Sequence, residues 1–255
     1  MILSFLIAML SITIVVLYAW LMFIITDNAS IIDGFWALGS GILIAIYAWS
    51  AAPLSKPSLV VVILALLWSA RLFFYLLFTR LIKGHVDPRY TRLSESWSGN
   101  RVFGFLKNYL IQGFLMLILT LPFLYISHSK LTFSWQSILG MGLSFLGLIN
   151  EALSDWQLSR FKKRHKDKKL VCQKGWWQFS RHPNFFFDWL QWFGFAICAA
   201  QPGWSLLALL SPAVLLFIFL KITIPLTEKQ ALSTRPEDYK LYMAKTSIFM
   251  PWLKR

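Results

Sequence analysis

Residues 2–26, ILSFLIAMLSITIVVLYAWLMFIIT, contain no charged side chain. About 20 consecutive apolar residues suffice for a helix to cross the hydrocarbon core of a bilayer. A helix also satisfies its own backbone hydrogen bonds there, where no water is available. The stretch therefore predicts a membrane span. Because it is longer than the apolar region of a signal peptide and lacks a basic leader, we expect it to be retained.

The rest of the chain has the same character. Of its residues 57% are hydrophobic and 14% are charged, whereas soluble domains carry about 25% charged residues. Further apolar runs lie at 34–52, 58–80, 103–127, 132–154, 185–200 and 203–224. We therefore predict an all-α polytopic membrane protein with about seven transmembrane helices, forming a single domain over residues 1–255.

The net charge of +14 is concentrated between the apolar runs. Lysine and arginine number six in residues 80–107, nine in 160–181 and seven in 221–255. Such clusters mark cytoplasmic loops, so we predict an external N-terminus and a cytoplasmic C-terminus. This distribution disfavours a nucleic-acid-binding surface. It favours a protein that brings a soluble cytoplasmic reagent to a compound dissolved in the membrane, and no pattern specifies an oligomeric state.

A first group of candidate residues lies in NEALSDWQLSRFKK, residues 150–163. Glu151, Asp155 and Lys162 recur at spacings of four and seven, which places them on one helix face. One interpretation is a solvated helix end whose acids pair with the neighbouring basic run. The other is a cavity at the membrane surface in which the acids hold cationic side chains or ribose hydroxyls.

A second group lies in GWWQFSRHPNFFFDWLQWFG, residues 175–194. Pro183 suits the first turn of a helix and Ser180 is a candidate cap. Asn184 and Asp188 then share one face of that helix. A carboxylate inside an apolar run is costly, so we expect Asp188 to have a partner.

The basic residues of this stretch support two interpretations. Arg181 and His182 beside a helix N-terminus are suited to bind phosphate. Alternatively, the helix begins at the lipid headgroups with Arg181 near lipid phosphates and tryptophans as interfacial anchors, namely Trp176, Trp177 and Trp204.

Three further residues are candidates for catalysis. Arg71 lies inside the third span, where an arginine is by default a functional hypothesis, although it could pair with Asp33 or Asp155. Tyr75 follows one turn later, and Asp33 begins the second span as either a helix cap or a proton donor. The sequence Asp-Pro-Arg-Tyr at 87–90 predicts a rigid turn.

In the C-terminal region Glu228 follows the last predicted span. Residues 236–238, Pro-Glu-Asp, predict a helix start. Tyr239 and Tyr242 then either stack on a planar base or pack on the membrane face.

Taken in order, these stretches resemble the steroid 5-alpha reductase family, and most of all its bacterial branch. The resemblance covers most of residues 33–252. It rests on Asp33-x-x-Trp36, Arg71-Leu72, Asp87 to Tyr90, Glu151-x-x-x-Asp155-x-Gln157-Leu158, Gly175-x-Trp177 with Ser180 to Asn184, and Glu228 with Pro251-Trp252. The chain departs from characterised steroid reductases in having Trp68 where they carry a proton-donating tyrosine, and a single acid at Asp33.

The resemblance implies a membrane reductase that uses NADPH from the cytoplasmic side and reduces a carbon–carbon double bond conjugated to a carbonyl. It implies NADPH contacts by Asp155, Lys162, Arg181, Asn184 and Asp188. The expected cofactor set also includes Glu151, Trp177, His182, Glu228 and Tyr239, without a metal. The expected substrate is a lipophilic small molecule, steroid-, isoprenoid- or lipid-like, that enters from surrounding membrane lipids of a bacterial inner membrane.

Two other functions remain open from the sequence. Membrane methyltransferases of the isoprenylcysteine type share a stretch similar to Ser180–Asn184 and would use S-adenosylmethionine. That ligand has no phosphate for the basic surroundings to bind. A non-enzymatic membrane scaffold would instead use Arg71, Asp155 and Asp188 only for internal pairing.

Overall fold

The computed structural model describes residues 1–84, 86–95, 97–165, 170–200 and 203–252, and only the backbone of Trp204. These residues form helices and no strand. The α-helices are α1 Ile2–Thr26, α2 Ile31–Ser50, α3 Lys56–Leu76, α4 Pro88–Glu95, α5 Arg101–Leu119, α6 Leu121–His128, α7 Trp135–Arg164, α8 Pro183–Ala199, α9 Leu210–Ile218, α10 Ile224–Thr234 and α11 Pro236–Lys245.

The all-α membrane architecture predicted from the sequence is confirmed. Six helical stretches in the described residues are long and apolar enough to cross a bilayer: Ile2–Thr26, Ile31–Ser50, Lys56–Leu81, Arg101–His128, Trp135–Arg164 and Ser205–Thr234. The sixth predicted span corresponds to α8, which is shorter at 17 residues. The count of seven and the orientation in the membrane stay predictions.

Several predicted boundaries are wrong. The predicted span 132–154 continues as α7 to Arg164, so residues 150–163 belong to the same helix. The last predicted span continues through a π-helical turn at Phe219–Thr223 into α10. Glu228 therefore lies inside this helix and does not follow it. Pro88 begins α4, so residues 87–90 are a helix start and not a rigid turn. Proline suits this position because the first amide of a helix has no intrahelical acceptor.

The chain divides into two compact units. Unit 1 comprises residues 1–138 and 195–211, and its helices α1, α2, α3 and α5 pack through small residues. A Cβ at Gly39 would lie 3.0 Å from the side chains of both Ile12 and Met116. Ser69 donates to the carbonyl of Ala37 at 2.8 Å. Small residues and interhelical hydrogen bonds let membrane helices approach closely.

Unit 2 comprises residues 139–194 and 212–255. Its α7 and α8 make close backbone contact at two glycines. A Cβ at Gly147 would lie 2.7 Å from the carbonyl oxygen of Phe187, and one at Gly194 would lie 2.5 Å from that of Gly140. Ser144 donates to the carbonyl of Gln191 at 3.1 Å across the same seam. The seam holds the start of α8 beside the polar half of α7.

Candidate functional site

The two acids of α7 are buried in unit 2. Glu151 is 4% exposed and Asp155 is 6% exposed, whereas Lys162 is exposed near the end of the helix. The interpretation of a solvated helix end is therefore wrong for the acids. Asn184 donates to Asp155 at 3.2 Å and joins α7 to the first turn of α8. The predicted cofactor residues Glu151 and Asp155 are thus buried one turn apart on α7, and the half-buried Asn184 is bonded to Asp155.

The first turn of α8 is built largely as its sequence predicts. Pro183 is the first helical residue, and the His182 carbonyl accepts the first intrahelical bond, from Phe186 at 3.1 Å. Ser180 is not the direct cap, because its hydroxyl accepts from the His182 amide at 3.1 Å. One turn into the helix, Asp188 is half-buried and accepts from the indole of Trp192 at 3.1 Å.

Residues 175–184, here called the connecting segment, are fastened to α7. Gly175 has φ of 64°, and a Cβ there would collide with the side chain of Gln157. Gln157 accepts from the Trp176 amide at 3.0 Å. The Trp177 indole donates to the Ser154 carbonyl at 3.0 Å. Trp177, which we predicted to contact cofactor or headgroups, is therefore buried and holds this segment against α7. The side chain of Trp204 lies outside the described residues.

Glu228 links the connecting segment to the C-terminal region. One of its oxygens accepts from Arg181 Nε at 2.7 Å, His182 Nε2 at 3.2 Å and the Tyr239 hydroxyl at 3.4 Å. Arg181 also donates to the carbonyls of Met243 and Thr246. Arg181 and His182, predicted to bind phosphate, thus have internal partners and are both buried.

The tail after α11 lies along the same segment. Ser180 and Ser247 form a parallel bridge, and Ser180 donates to the Phe249 carbonyl at 2.7 Å. The Tyr242 hydroxyl donates to the carbonyls of Trp177 and Ser180. Tyr239 and Tyr242 are buried against each other, so protein atoms cover the rings that we predicted to stack on a base or lie on the membrane.

Burial dominates the electrostatics of this cluster. It lowers the pKa of His182, and the bond to Glu228 opposes that shift only in part. Burial also raises the pKa of Tyr239, with the Glu228 charge adding to the effect. Neutral forms of His182 and Tyr239 are therefore favoured at neutral pH, and both rings serve as hydrogen-bond donors to Glu228.

Unit 1 contains a second polar group, here called the charged cluster. Asp33 accepts from Arg80 at 2.9 Å, Arg89 at 3.2 Å and the Tyr90 hydroxyl at 2.6 Å. Asp87 accepts from Arg89 at 2.8 Å and from Arg80 at 3.2 Å. Residues 87–90 are thereby held against the start of α2. Two stretches of the resemblance, Asp33 and Asp87 to Tyr90, are thus in direct contact.

Burial and charge together set the protonation of Asp87 and Tyr90 in the charged cluster. Burial raises the pKa of Asp87, but hydrogen bonds from Arg89 and the charges of Arg89 and Arg80 outweigh it, so the net shift is downward. Burial raises the pKa of Tyr90, and the Asp33 charge raises it further. Asp87 is accordingly an ionised anchor and Tyr90 a neutral donor.

The remaining catalytic candidates lie on α3 in unit 1. Arg71 and Tyr75 are separated by one helical turn, and both side chains are half-buried. Trp68, three residues before Arg71, is buried. The structure therefore places Arg71 and Tyr75 on adjoining turns as the spacing predicts, and their catalytic roles stay predictions.

Sequence reasoning missed three residues that organise these sites. The charge distribution marks Arg80 only as a loop cation, but Arg80 and Asp33 lie at the predicted cytoplasmic ends of consecutive spans, and this placement is a signal for their pairing. Gln157 was recognised within the resemblance but given no role. Nothing in the sequence indicated that the Tyr242 hydroxyl serves two backbone carbonyls.

The fold is that of an all-α integral membrane protein. Its candidate site combines two buried carboxylates of α7, Glu151 and Asp155, with the Asn184 amide in the first turn of α8. The chain belongs to the family described as protein of unknown function (DUF1295), which matches residues 19–246. A stretch of 65 residues is 29% identical to steroid 5-alpha-reductase DET2 of Arabidopsis thaliana. This match covers 26% of the chain and only 25% of that relative. No solved structure matches the chain.

Proposed function

We propose that this protein is a membrane oxidoreductase that uses NADPH to reduce a carbon–carbon double bond, conjugated to a carbonyl, in a lipophilic substrate. The observation that carries the reaction class is the similarity to a plant steroid 5-alpha-reductase within a family that covers most of the chain. The proposed substrate is steroid-, isoprenoid- or lipid-like and reaches the protein from the bilayer. The proposed location is a bacterial inner membrane.

The residues of unit 2 fit a phosphorylated dinucleotide. Buried carboxylates accept hydrogen bonds from ribose hydroxyls, a role that suits Glu151 and Asp155. Asn184 and Asp188 continue the polar stripe into α8. Lys162 is exposed near the end of α7, where its ammonium group can reach a phosphate from the solvent side. These five residues are the proposed cofactor contacts.

The contacts of Glu228 support a different role for its neighbours. Arg181 and His182 donate to Glu228, and Tyr239 does so from α11. We therefore assign Arg181, His182, Glu228 and Tyr239 as positioning residues that hold the connecting segment, together with Trp177. They act on the cofactor through the placement of Asn184 and not through its phosphates.

When bound, NADPH supplies the hydride for the β-carbon of the conjugated double bond. The proton that completes the reduction comes from the chain, with Tyr75 and Asp33 as candidates. The geometry favours Tyr75, because both oxygens of Asp33 already accept bonds from Arg80, Arg89 and Tyr90. The proposed role of Arg71 is to stabilise charge on the substrate carbonyl from the adjoining turn.

Thermal unfolding of the purified, detergent-solubilised protein tests the cofactor. At 100 times its dissociation constant, a ligand that binds only the folded state stabilises it by about 2.7 kcal/mol. That stabilisation corresponds to a rise in Tm of about 5–10 °C for a chain of this size. We expect the rise with NADPH, a smaller one with NADH and none with S-adenosylmethionine.

Two variants make the test specific. Asp155→Asn should abolish most of the NADPH shift, because an NH₂ group that only donates replaces one of the two carboxylate oxygens that accept from ribose hydroxyls. Asp27→Asn is the matched control, since Asp27 is exposed and pairs only at the surface with Arg101. A shift with S-adenosylmethionine alone would support a methyltransferase instead. No shift with any ligand would support a scaffold and contradict the proposal.

A further inference from the structure

Gln191 is a fully buried amide in the middle of α8, with 0% exposure. Neither Oε1 nor Nε2 of its side chain has a hydrogen-bond partner among the described residues. Its backbone carbonyl is fixed by Ser144 of α7. An unsatisfied amide in an apolar interior is destabilising, so packing alone gives no reason for glutamine here.

The contrast with Gln136 shows what a structural glutamine does in this chain. Gln136, on the same helix α7 but in unit 1, donates to the carbonyls of Ile197 and Ala200. These carbonyls belong to the last turn of α8 and to the residue that follows it, where carbonyls lack intrahelical donors. Gln136 therefore satisfies backbone groups, whereas Gln191 satisfies none in the described residues.

The position of Gln191 connects it to the proposed cofactor site. Asn184, Asp188 and Gln191 follow at spacings of four and three, which puts them on one stripe of α8. At 1.5 Å per residue, Gln191 lies about 10 Å beyond Asn184 along the helix axis. It is the last polar residue of the stripe, and apolar and aromatic residues follow it to the end of α8.

The chemistry of the amide restricts its partner. Gln191 has both an acceptor oxygen and a donor nitrogen to satisfy. A ketone or enone oxygen accepts only and would leave Oε1 without a donor. A primary carboxamide offers a donor and an acceptor on adjacent atoms and can pair with both ends of the glutamine amide.

We propose that Gln191 binds the carboxamide of the nicotinamide ring and so sets the depth and orientation of that ring in unit 2. This inference rests on the proposed function, because it requires NADPH as the cofactor. Since Gln191 has no exposed surface, binding requires its side chain to turn from its covered position.

The test compares two ligands that differ only in the nicotinamide part. NADP⁺ and 2′-phospho-ADP-ribose are titrated by calorimetry into wild type and Gln191→Leu in detergent. Two neutral hydrogen bonds correspond to a loss of about 10- to 100-fold in affinity. We expect that loss for NADP⁺ in Gln191→Leu and less than a twofold change for 2′-phospho-ADP-ribose.

Gln136→Leu serves as the matched control, since it removes an amide of the same helix pair that has structural partners. It should lower the melting temperature and leave the ratio of the two affinities unchanged. The 3-acetylpyridine analogue of NADP⁺, which retains the carbonyl and lacks the amide donor, tests the same contact in wild type. It should bind wild type about tenfold more weakly than NADP⁺ does.

The outcomes separate the inference from the proposed function. Equal losses for both ligands in Gln191→Leu, or no loss for NADP⁺, overturn the assignment of Gln191 and leave the reductase proposal standing. If Gln191→Leu does not fold, equal affinity of wild type for NADP⁺ and its acetylpyridine analogue overturns the assignment. If wild type binds none of the ligands, the proposed function fails and the inference fails with it.

Discussion

Replacing Glu228 by glutamine should destabilise unit 2, because it leaves the buried guanidinium of Arg181 without its counter-charge. The side chains of Arg181 and Glu228 are 7% and 11% exposed, so solvent screens the pair little. Removing one member of a buried ion pair costs about 3–5 kcal/mol. The two carbonyls that also accept from Arg181 compensate in part and favour the lower end. We expect a loss of about 3 kcal/mol, or a Tm lower by about 6–12 °C.

Thermal unfolding followed by tryptophan fluorescence measures this loss, and a double substitution identifies its cause. Arg181→Met together with Glu228→Gln removes the unpaired charge, so the pair should recover much of the stability lost in Glu228→Gln. The NADP⁺ affinity of the double variant gives the second readout. If Arg181 is a positioning residue, that affinity stays within a fewfold of wild type.

Two results would refute this reasoning. A Glu228→Gln protein as stable as wild type would show that Arg181 does not depend on the Glu228 charge. An Arg181→Met protein of unchanged stability that no longer binds NADP⁺ would restore the interpretation from sequence, in which Arg181 holds a cofactor phosphate.

Three more predictions concern the connecting segment and the charged cluster. Gly175→Ala should cost at least about 1–2 kcal/mol, because a φ of 64° disfavours any side chain and the added Cβ would also collide with Gln157. Gly142→Ala, where a Cβ meets open space, should cost nothing in the same thermal assay. Tyr242→Phe should lower stability by about 1–2 kcal/mol, because two buried carbonyls lose their donor. The lowered pKa of Asp87 means that its bond to Arg89 stabilises the fold above pH 3.8 and loses effect as pH falls through the folded value. Asp87→Asn should remove that acid-side slope from unfolding midpoints measured between pH 3 and 7, and an unchanged slope would contradict the assignment.

The helices themselves followed from local sequence. Residues 2–26 predict a span from composition alone, and Pro183 predicts the start of α8 because proline is favoured in the first turn of a helix. The predicted helix ends were wrong where a helix continues past its apolar part, as α7 does to Arg164. Apolar composition marks the membrane-embedded portion of a helix and gives no signal for its polar continuation.

By itself, the sequence determined that this chain is a helical membrane protein and which polar residues are candidates for chemistry. Both conclusions rest on local properties, namely the length of each apolar run and the spacing of side chains along a helix. Only the tertiary structure decided the partners of those residues. It paired Arg80 with Asp33 and placed Glu228 against Arg181 and His182, which are 47 and 46 residues away. It also left the amide of Gln191 without a partner among the described residues. Pairing across such separations depends on how helices pack, and the identity of a charged residue does not specify which partner the packing brings within hydrogen-bonding distance.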